Sequence, residues 1–410
     1  MMENTKMTET TETIKNTKMT ETTETKKNTT DRTTEEAGAG KSDNTGKSSG
    51  TDKMERYRYV AQETKLRWDN IAKPIDSLGI LEDYVVKLCA ISGSAEPYDM
   101  SRRALVILCG DHGVVCEGVT QTGKEVTRIV AENFAAGCSS VNYMARCAGA
   151  DVFTVDIGMD TPHYAEKELV CSAVIDRKLA RGTDNLAVMP AMSKEACRRA
   201  INIGISIVRG LKEQGYGIIA TGEMGIGNTT PTSALAALFL NLPAEQVTGR
   251  GAGLNDAGML KKRRVVGQAV ARVREKQLTD TIDILAEVGG YEIAGMAGLF
   301  LGGVLYDMPI VIDGAISAVA ALAACRMDER VPYYAVASHV SEELTGQLAL
   351  SAMHLQALLH GRMCLGEGSG AVAVLPALDM GLSVYANMGT FSDLQIDAYA
   401  RDGKPDEEKK

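Results

Sequence analysis

Two glutamates stand inside glycine-rich turns, a setting that changes what a carboxylate can do. Glu223 lies in "TGEMGIGNTTPTSA" (221–234) and Glu367 in "CLGEGSGAVAVL" (364–375). A carboxylate flanked by glycine and apolar residues loses hydration and holds its proton more tightly, which suits a general base near neutral pH. The first turn also reads as an anion site. Gly225 and Gly227 let backbone approach a ligand, Asn228 and Thr229 add side-chain donors, and Thr230-Pro231 reads as the N-cap and first residue of a helix. Such a helix directs unpaired N–H groups and a partial positive charge at the loop. The turn has no lysine of its own, so it is not a Walker A loop. Lys262, in a second glycine-rich turn "GRGAGLNDAGMLKKRRVV" (249–266), is the natural phosphate partner, while Lys261, Arg263 and Arg264 read as a solvated helix face. The serine of "GEGSGA" is no hydrolase elbow, because the G-x-S-x-G spacing is not met.

Apolar runs must carry these turns. "ALVILCG" (104–110), "DVFTVDIG" (151–158), "GYGIIATG" (215–222), "PIVIDG" (309–314), "YYAVAS" (333–338) and "GAVAVL" (370–375) are apolar throughout, as strands covered on both faces should be. Helical patterns such as "TRIVAENFAAGCSSVNYMARCAGA" and "AISAVAALAACRM" lie between them. This alternation predicts an α/β fold with a mostly parallel, Rossmann-like sheet and flanking helices. Residues 101–375 form the expected α/β catalytic domain, and 57–100 with 376–402 a small helical domain joining the two chain ends. Several strands end on glycine and a polar residue: Gly110-Asp111-His112, Gly222-Glu223, Asp313-Gly314 and Ser338-His339. Open α/β sheets bind ligands beyond the carboxyl ends of their strands, so these endings converge on one site.

Residues 1–56 form an expected disordered tail. "NTKMTETTETIK" (4–15) recurs at 16–27 with a single change, and so polar a composition cannot offset the entropy of ordering the chain. "GAGKS" within it lacks the strand and glycine spacing of a phosphate loop. The net charge of −9 and pI near 5.3 argue against a nucleic-acid surface. No apolar run approaches the ~18 residues that span a bilayer, and the N-terminus lacks the apolar stretch of a secretory signal. Nine cysteines without paired spacing read as reduced thiols of a cytoplasmic protein. Cys109, His112 and Cys116 lack a fourth ligand at recognisable spacing, so no metal is expected there.

With these residues in view, the chain resembles the nicotinate-nucleotide–dimethylbenzimidazole phosphoribosyltransferases, which build the lower-ligand nucleotide of cobalamin. "GDHGV…EGV", "TGEMGIGNTT", "GRGAGLNDAG…K", "VIDGAISAVAAL", "SHVSEE" and "GEGSGA" occur in that family's order, from about Ile71 to Leu378. The resemblance implies a homodimer that uses no cofactor. It also implies that Glu367 is the general base, with Glu223 helping from the opposite loop. Gly225, Gly227 and Lys262 would hold the nucleotide phosphate, with Ser341 nearby, and Asp313 would join the substrate site. Thr120-Gln121-Thr122-Gly123-Lys124 departs from the family's usual small residue, aromatic and proline. That segment, Thr122 included, lines the family's base pocket, which leaves the base open between a benzimidazole, a purine and a phenol.

The chemistry agrees with the residues. The nicotinate ring of the mononucleotide is a pyridinium and departs as a neutral pyridine nitrogen, needing no acid. The incoming benzimidazole attacks the anomeric carbon with one nitrogen and sheds the proton on the other, which Glu367 can take. Glu223 can face the positive charge on the ribose, and attack opposite the leaving group gives an α-riboside phosphate. Two other readings stay open from sequence. A Mg²⁺-dependent transferase using phosphoribosyl pyrophosphate wants paired acids after an apolar strand, where only Asp313 stands. A non-catalytic nucleotide sensor has no use for Glu367.

Overall fold

Five of the apolar runs and one short segment pair into one sheet whose strands are all parallel, as the runs' lack of alternation requires. The computed structural model describes residues 45–164 and 169–400. The strands are β1 (Arg103–Gly110), β2 (Ala150–Gly158), β3 (Val174–Asp176), β4 (Ile218–Met224), β5 (Ile310–Ile312) and β6 (Ala335–Ala337). Their order across the sheet is β3-β2-β1-β4-β5-β6. The chain therefore builds outward from β1 in one direction, then returns to build outward from β4 in the other. This reversal puts a crevice beyond the carboxyl ends of β1 and β4, where open α/β sheets hold ligands.

Two expectations change. Residues 370–375 are not a strand but parts of two helices, Ser369–Ala373 and Leu375–Asn387, which meet at Val374. Their small apolar residues fit either structure, and the carboxylate of Asp313 decides it by accepting from the first helix's backbone amides, as described below. The 19-residue stretch Ser369–Asn387 is long and apolar enough by composition to cross a bilayer, contrary to the sequence expectation. Half of it is buried inside the fold, and Leu375–Asn387 packs on the helix Ile80–Ser92, with Gly381 against Leu81 and Val85.

Contacts divide the chain between Ser48 and Ser49, and the description that follows concerns the unit from Ser49 onward. Residues 1–44, with the tandem repeat, lie outside the described residues. The helix Thr45–Asn70 runs through the last part of the expected tail. Met54 is buried, and Lys53 Nζ donates to the Val304 carbonyl at 2.6 Å and pairs with Asp307 at 2.9 Å. Near the other end of the described chain, Trp68 packs on Tyr385 with ring centroids 5.0 Å apart, and Ile71 bridges Thr390. These helices share one contiguous hydrophobic core with the sheet.

The helix Tyr291–Tyr306 packs against Lys194–Glu213 and touches β1, β2 and β4. Its closeness depends on glycine. A β-carbon at Gly298 would lie 2.0 Å from the Ile201 carbonyl oxygen, and one at Gly204 would lie 2.0 Å from that of Gly295. Backbone atoms cannot give way as a flexible side chain can, so even one methyl group forces the helices apart. Gly298→Ala is expected to destabilise the fold by about 1–3 kcal/mol, read as a lower melting temperature. An unchanged melting temperature would mean the two helices can separate freely.

Candidate active site

β4 carries Glu223 to the switch between β1 and β4, where Leu108 is its register partner. Its carboxylate is buried and accepts from Asn228 Nδ2 and from the backbone amide of Glu367. Burial, then the nearby charges of Asp313 and Glu292, push its pKa up to about 8 despite those two donors. Glu367 sits on the loop facing it. A β-carbon at Gly222 would lie 2.7 Å from the Glu367 carbonyl oxygen, and one at Gly366 would lie 2.7 Å from Glu223 Oε1. The two acidic turns are therefore in direct contact. Glu367 adopts φ +62° between Gly366 at +81° and Gly368 at +89°, a left-handed run that strains a residue with a side chain. Its carboxyl is half-buried, and burial followed by the charge of Asp313 raises its pKa.

Asp313 holds this strained loop. Its Oδ1 accepts from the amides of Gly370 at 2.7 Å and Ala371 at 3.0 Å, and its Oδ2 from Gly368 at 3.1 Å. Burial raises the proton affinity of Asp313, while His339 and these amides favour the carboxylate. Both of its oxygens thus face backbone. The sequence assigned Asp313 to substrate; its hydrogen bonds also make it an anchor for the Glu367 turn.

The expected anion loop is present with a different start. The helix runs Thr229–Phe239, so Asn228 is its N-cap and Pro231 its third residue. The Asn228 side chain reaches Glu223 instead of capping the helix. The amides of Asn228 and Thr230 already donate to the Gly225 and Gly227 carbonyls at 3.0 Å each, so fewer N–H groups face the loop than a helix end usually offers. Lys262 is the cation set against this helix start. Its ammonium is fully buried and donates to Thr229 Oγ1 at 2.7 Å and the Gly249 carbonyl at 3.0 Å, leaving one of its three hydrogens for a phosphate oxygen. Burial pulls its pKa down to about 8, against the opposing pull of Glu343. Ser341 is buried and linked to this turn indirectly: its Oγ accepts from the Glu343 amide at 3.2 Å, and Glu343 Oε1 accepts from the Gly251 amide at 3.2 Å.

Thr122 is exposed, and its carbonyl accepts from Thr120 Oγ1 at 2.8 Å. Thr120 is the residue of that loop that approaches Gly227, and the Gln121 amide donates to the Gly253 carbonyl. The segment therefore spans the two glycine turns. Cys109, His112 and Cys116 do not gather as ligands. Cys109 is buried, His112 bonds Glu292, and Cys116 is exposed and accepts from Asn185 Nδ2. The sequence reading passed over Glu292 and Glu343. Glu292 is the second residue of a helix that is otherwise uncharged, and a lone buried acid there must find a partner.

The chain matches a protein-family model described as phosphoribosyltransferase over residues 55–396. It is 40% identical over 345 residues to a nicotinate-nucleotide–dimethylbenzimidazole phosphoribosyltransferase from Acetivibrio thermocellus, covering 84% of this chain and 96% of that one. It is 41% identical over 335 residues to the protein of the same name from Geobacter metallireducens, covering 82% and 93%. Among solved structures, the nicotinate-nucleotide–dimethylbenzimidazole phosphoribosyltransferase of Thermus thermophilus superposes with a TM-score of 0.76 at 34% identity, covering 83% of this chain and 99% of that one.

Raising the pKa of Glu223 to about 8 makes it a liability for the empty protein at high pH. Below its ordinary value of 4.5, folded and unfolded chains both keep the proton and the group is neutral to stability. Between there and about pH 8 the unfolded chain ionises while the fold does not, so stability falls as pH rises. Glu223→Gln removes this titration. It is expected to raise the melting temperature relative to wild type more at pH 8.5 than at pH 5 in the ligand-free protein. Calorimetry that finds the same difference at both pH values would contradict the desolvated setting of Glu223.

Proposed function

The chain belongs to this phosphoribosyltransferase family, and from that premise we propose that it transfers the phosphoribosyl group of nicotinate mononucleotide to 5,6-dimethylbenzimidazole or a related base. The products are nicotinate and an α-riboside 5′-phosphate, and the step belongs to assembly of the cobalamin nucleotide loop. The observation that carries this reading is the contact of two acidic turns at the sheet's switch point, beside a buried lysine that can take phosphate. The alternative using phosphoribosyl pyrophosphate and Mg²⁺ is disfavoured by the family match, and its one candidate acid, Asp313, already accepts three backbone amides.

Lys262, with Thr229 and the Gly249–Gly251 turn, binds the phosphate in ground and transition states alike. Bond making and breaking occur at the ribose anomeric carbon. The C–N bond to the pyridinium breaks, and its electron pair returns to the ring as a neutral nitrogen. A benzimidazole nitrogen forms the new C–N bond from the opposite face, and the proton on its other nitrogen passes to Glu367. Glu223 acts as a carboxylate facing the cationic ribosyl group. In the empty site burial favours its protonated form, so an arriving cation both promotes its ionisation and gains from it. The loop Thr120–Lys124, which reaches both glycine turns, is available to contact the base.

An acidic surface and free thiols at nine cysteines support small-molecule substrates, without nucleic acid or membrane, and a cytoplasmic setting. A homodimer is the assembly this reading carries.

Incubation with nicotinate mononucleotide and a panel of bases, followed by mass spectrometry and NMR of the anomeric proton, tests the function. An α-riboside phosphate of a benzimidazole is expected; a product made only from phosphoribosyl pyrophosphate would overturn it. Glu367→Gln is expected to lower kcat ~10²–10⁴-fold with KM for the nucleotide little changed. Glu223→Gln should slow turnover by less. Should Glu223→Gln be inactive while Glu367→Gln turns over normally, the two roles are exchanged.

A further inference from the structure

His112 and Glu292 form a buried polar pair that neither the phosphate turn nor the transfer step uses directly. His112 follows β1, and Glu292 is the second residue of Tyr291–Tyr306, where the helix N-terminus favours a carboxylate. Nε2 of His112 lies 2.8 Å from Glu292 Oε1, and both side chains are fully buried. Removing such a pair from water is costly, and packing in this apolar helix gives no reason for it. Among the described residues, His112 Nδ1 and Glu292 Oε2 are also buried without a hydrogen-bond partner.

The pair lies under the turn that follows Glu223. A β-carbon at Gly225 would be 3.3 Å from His112 Nε2, and one at Gly227 would be 3.5 Å from His112 Cβ. On the opposite side, a β-carbon at Gly110 would be 3.0 Å from Glu292 Oε2. Backbone from β1 and from the Gly225–Gly227 turn thus closes around the pair.

We propose that His112 and Glu292 are a positioning pair for Glu223: seated between Gly110 at the end of β1 and the Gly225–Gly227 turn, they brace the turn that follows Glu223 and set a buried carboxylate behind it. The other groups facing Glu223 are Asp313 on the β5 side, with His339 behind it, Glu367 on the opposing turn, Asn228 at the start of the helix that follows and the Cys109 thiol on β1. Asp313 also has a histidine near it, His339, but both of its oxygens accept backbone amides, whereas Glu292 has one oxygen on His112 and, among the described residues, the other without a partner. The charge of Glu292 adds to that of Asp313 in holding the proton on Glu223.

The test has two readouts, one independent of turnover. In the kinetic arm, which rests on the proposed transfer reaction, kcat/KM for nicotinate mononucleotide is measured against pH. Glu292→Gln keeps an acceptor for His112 but removes the charge, and it should move the acid limb assigned to Glu223 to lower pH by about one pH unit. His112→Gln keeps a donor to Glu292 but removes the imidazole, and it should leave that limb in place or move it higher. In a Glu223→Gln background, Glu292→Gln should leave the remaining profile where it is. A merely structural loosening would hydrate the site and lower the limb in both single variants, which overturns the proposal. In the second arm, the melting-temperature difference between wild type and Glu223→Gln is followed against pH without substrate. Adding Glu292→Gln should leave the onset near the ordinary carboxylate value, end the growth of the difference at lower pH by the same amount and shrink its final size, and an unmoved upper end also overturns the proposal. If Glu292→Gln does not fold, His112→Gln alone decides: a lowered limb, or an upper end of the stability difference moved to lower pH, refutes the pair's role. Absence of turnover with an upper end that still moves would count against the reaction and not against the pair.

Discussion

The carboxylate of Asp313 is the point on which the site depends. It accepts from the backbone amides of Gly368, Gly370 and Ala371 and so holds a turn that no local preference would maintain. Three successive residues there are left-handed, and the middle one is a glutamate. Left alone, such a turn relaxes. With its amides fixed to the end of β5, Glu367 is presented across Gly222 to Glu223 on the adjoining strand, and the same carboxylate starts the helix Ser369–Ala373. A charge-assisted hydrogen bond is worth about 1.5–3 kcal/mol, enough for several together to offset backbone strain of order 1–3 kcal/mol.

The cost of this arrangement is a concentration of acid. Asp313, Glu223, Glu367 and Glu292 crowd the end of β4, and burial raises the proton affinity of the first three named. Such a site is under-compensated when empty. A substrate whose ring or ribose carries positive charge supplies what is missing, which makes the environment more complementary to the cationic transition state than to water. The buried ammonium of Lys262 lies against Thr229, on the helix that follows the Glu223 turn, and against Gly249.

Much of this was legible in the sequence because the relevant signals are local. Uniformly apolar runs marked β1, β2, β4, β5 and β6, and glycines around Glu223, Glu367 and Lys262 marked places where backbone approaches closely. Three features escaped. β3 is three residues long and follows no run of its own. Residues 370–375 are small and apolar, compatible with strand or helix, and a partner 55–58 residues away in sequence chose helix. Glu292 has no glycine loop around it in the usual sense; its signal was a lone acid opening an otherwise uncharged helix, and its meaning required knowing that β1 brings His112 alongside. Local chemistry was readable, and long-range pairing was not.

Hydrogen–deuterium exchange over residues 364–372, compared between wild type and Asp313→Asn, tests the anchoring role most directly. Asparagine offers one acceptor oxygen and turns an NH₂ group toward an amide that needs an acceptor. The amides of Gly368, Gly370 and Ala371 should exchange about ten- to a hundredfold faster, while the amides of β1 and β4 keep their protection. Unchanged protection across 364–372 would contradict the account, because the turn that presents Glu367 would then be held by something other than Asp313.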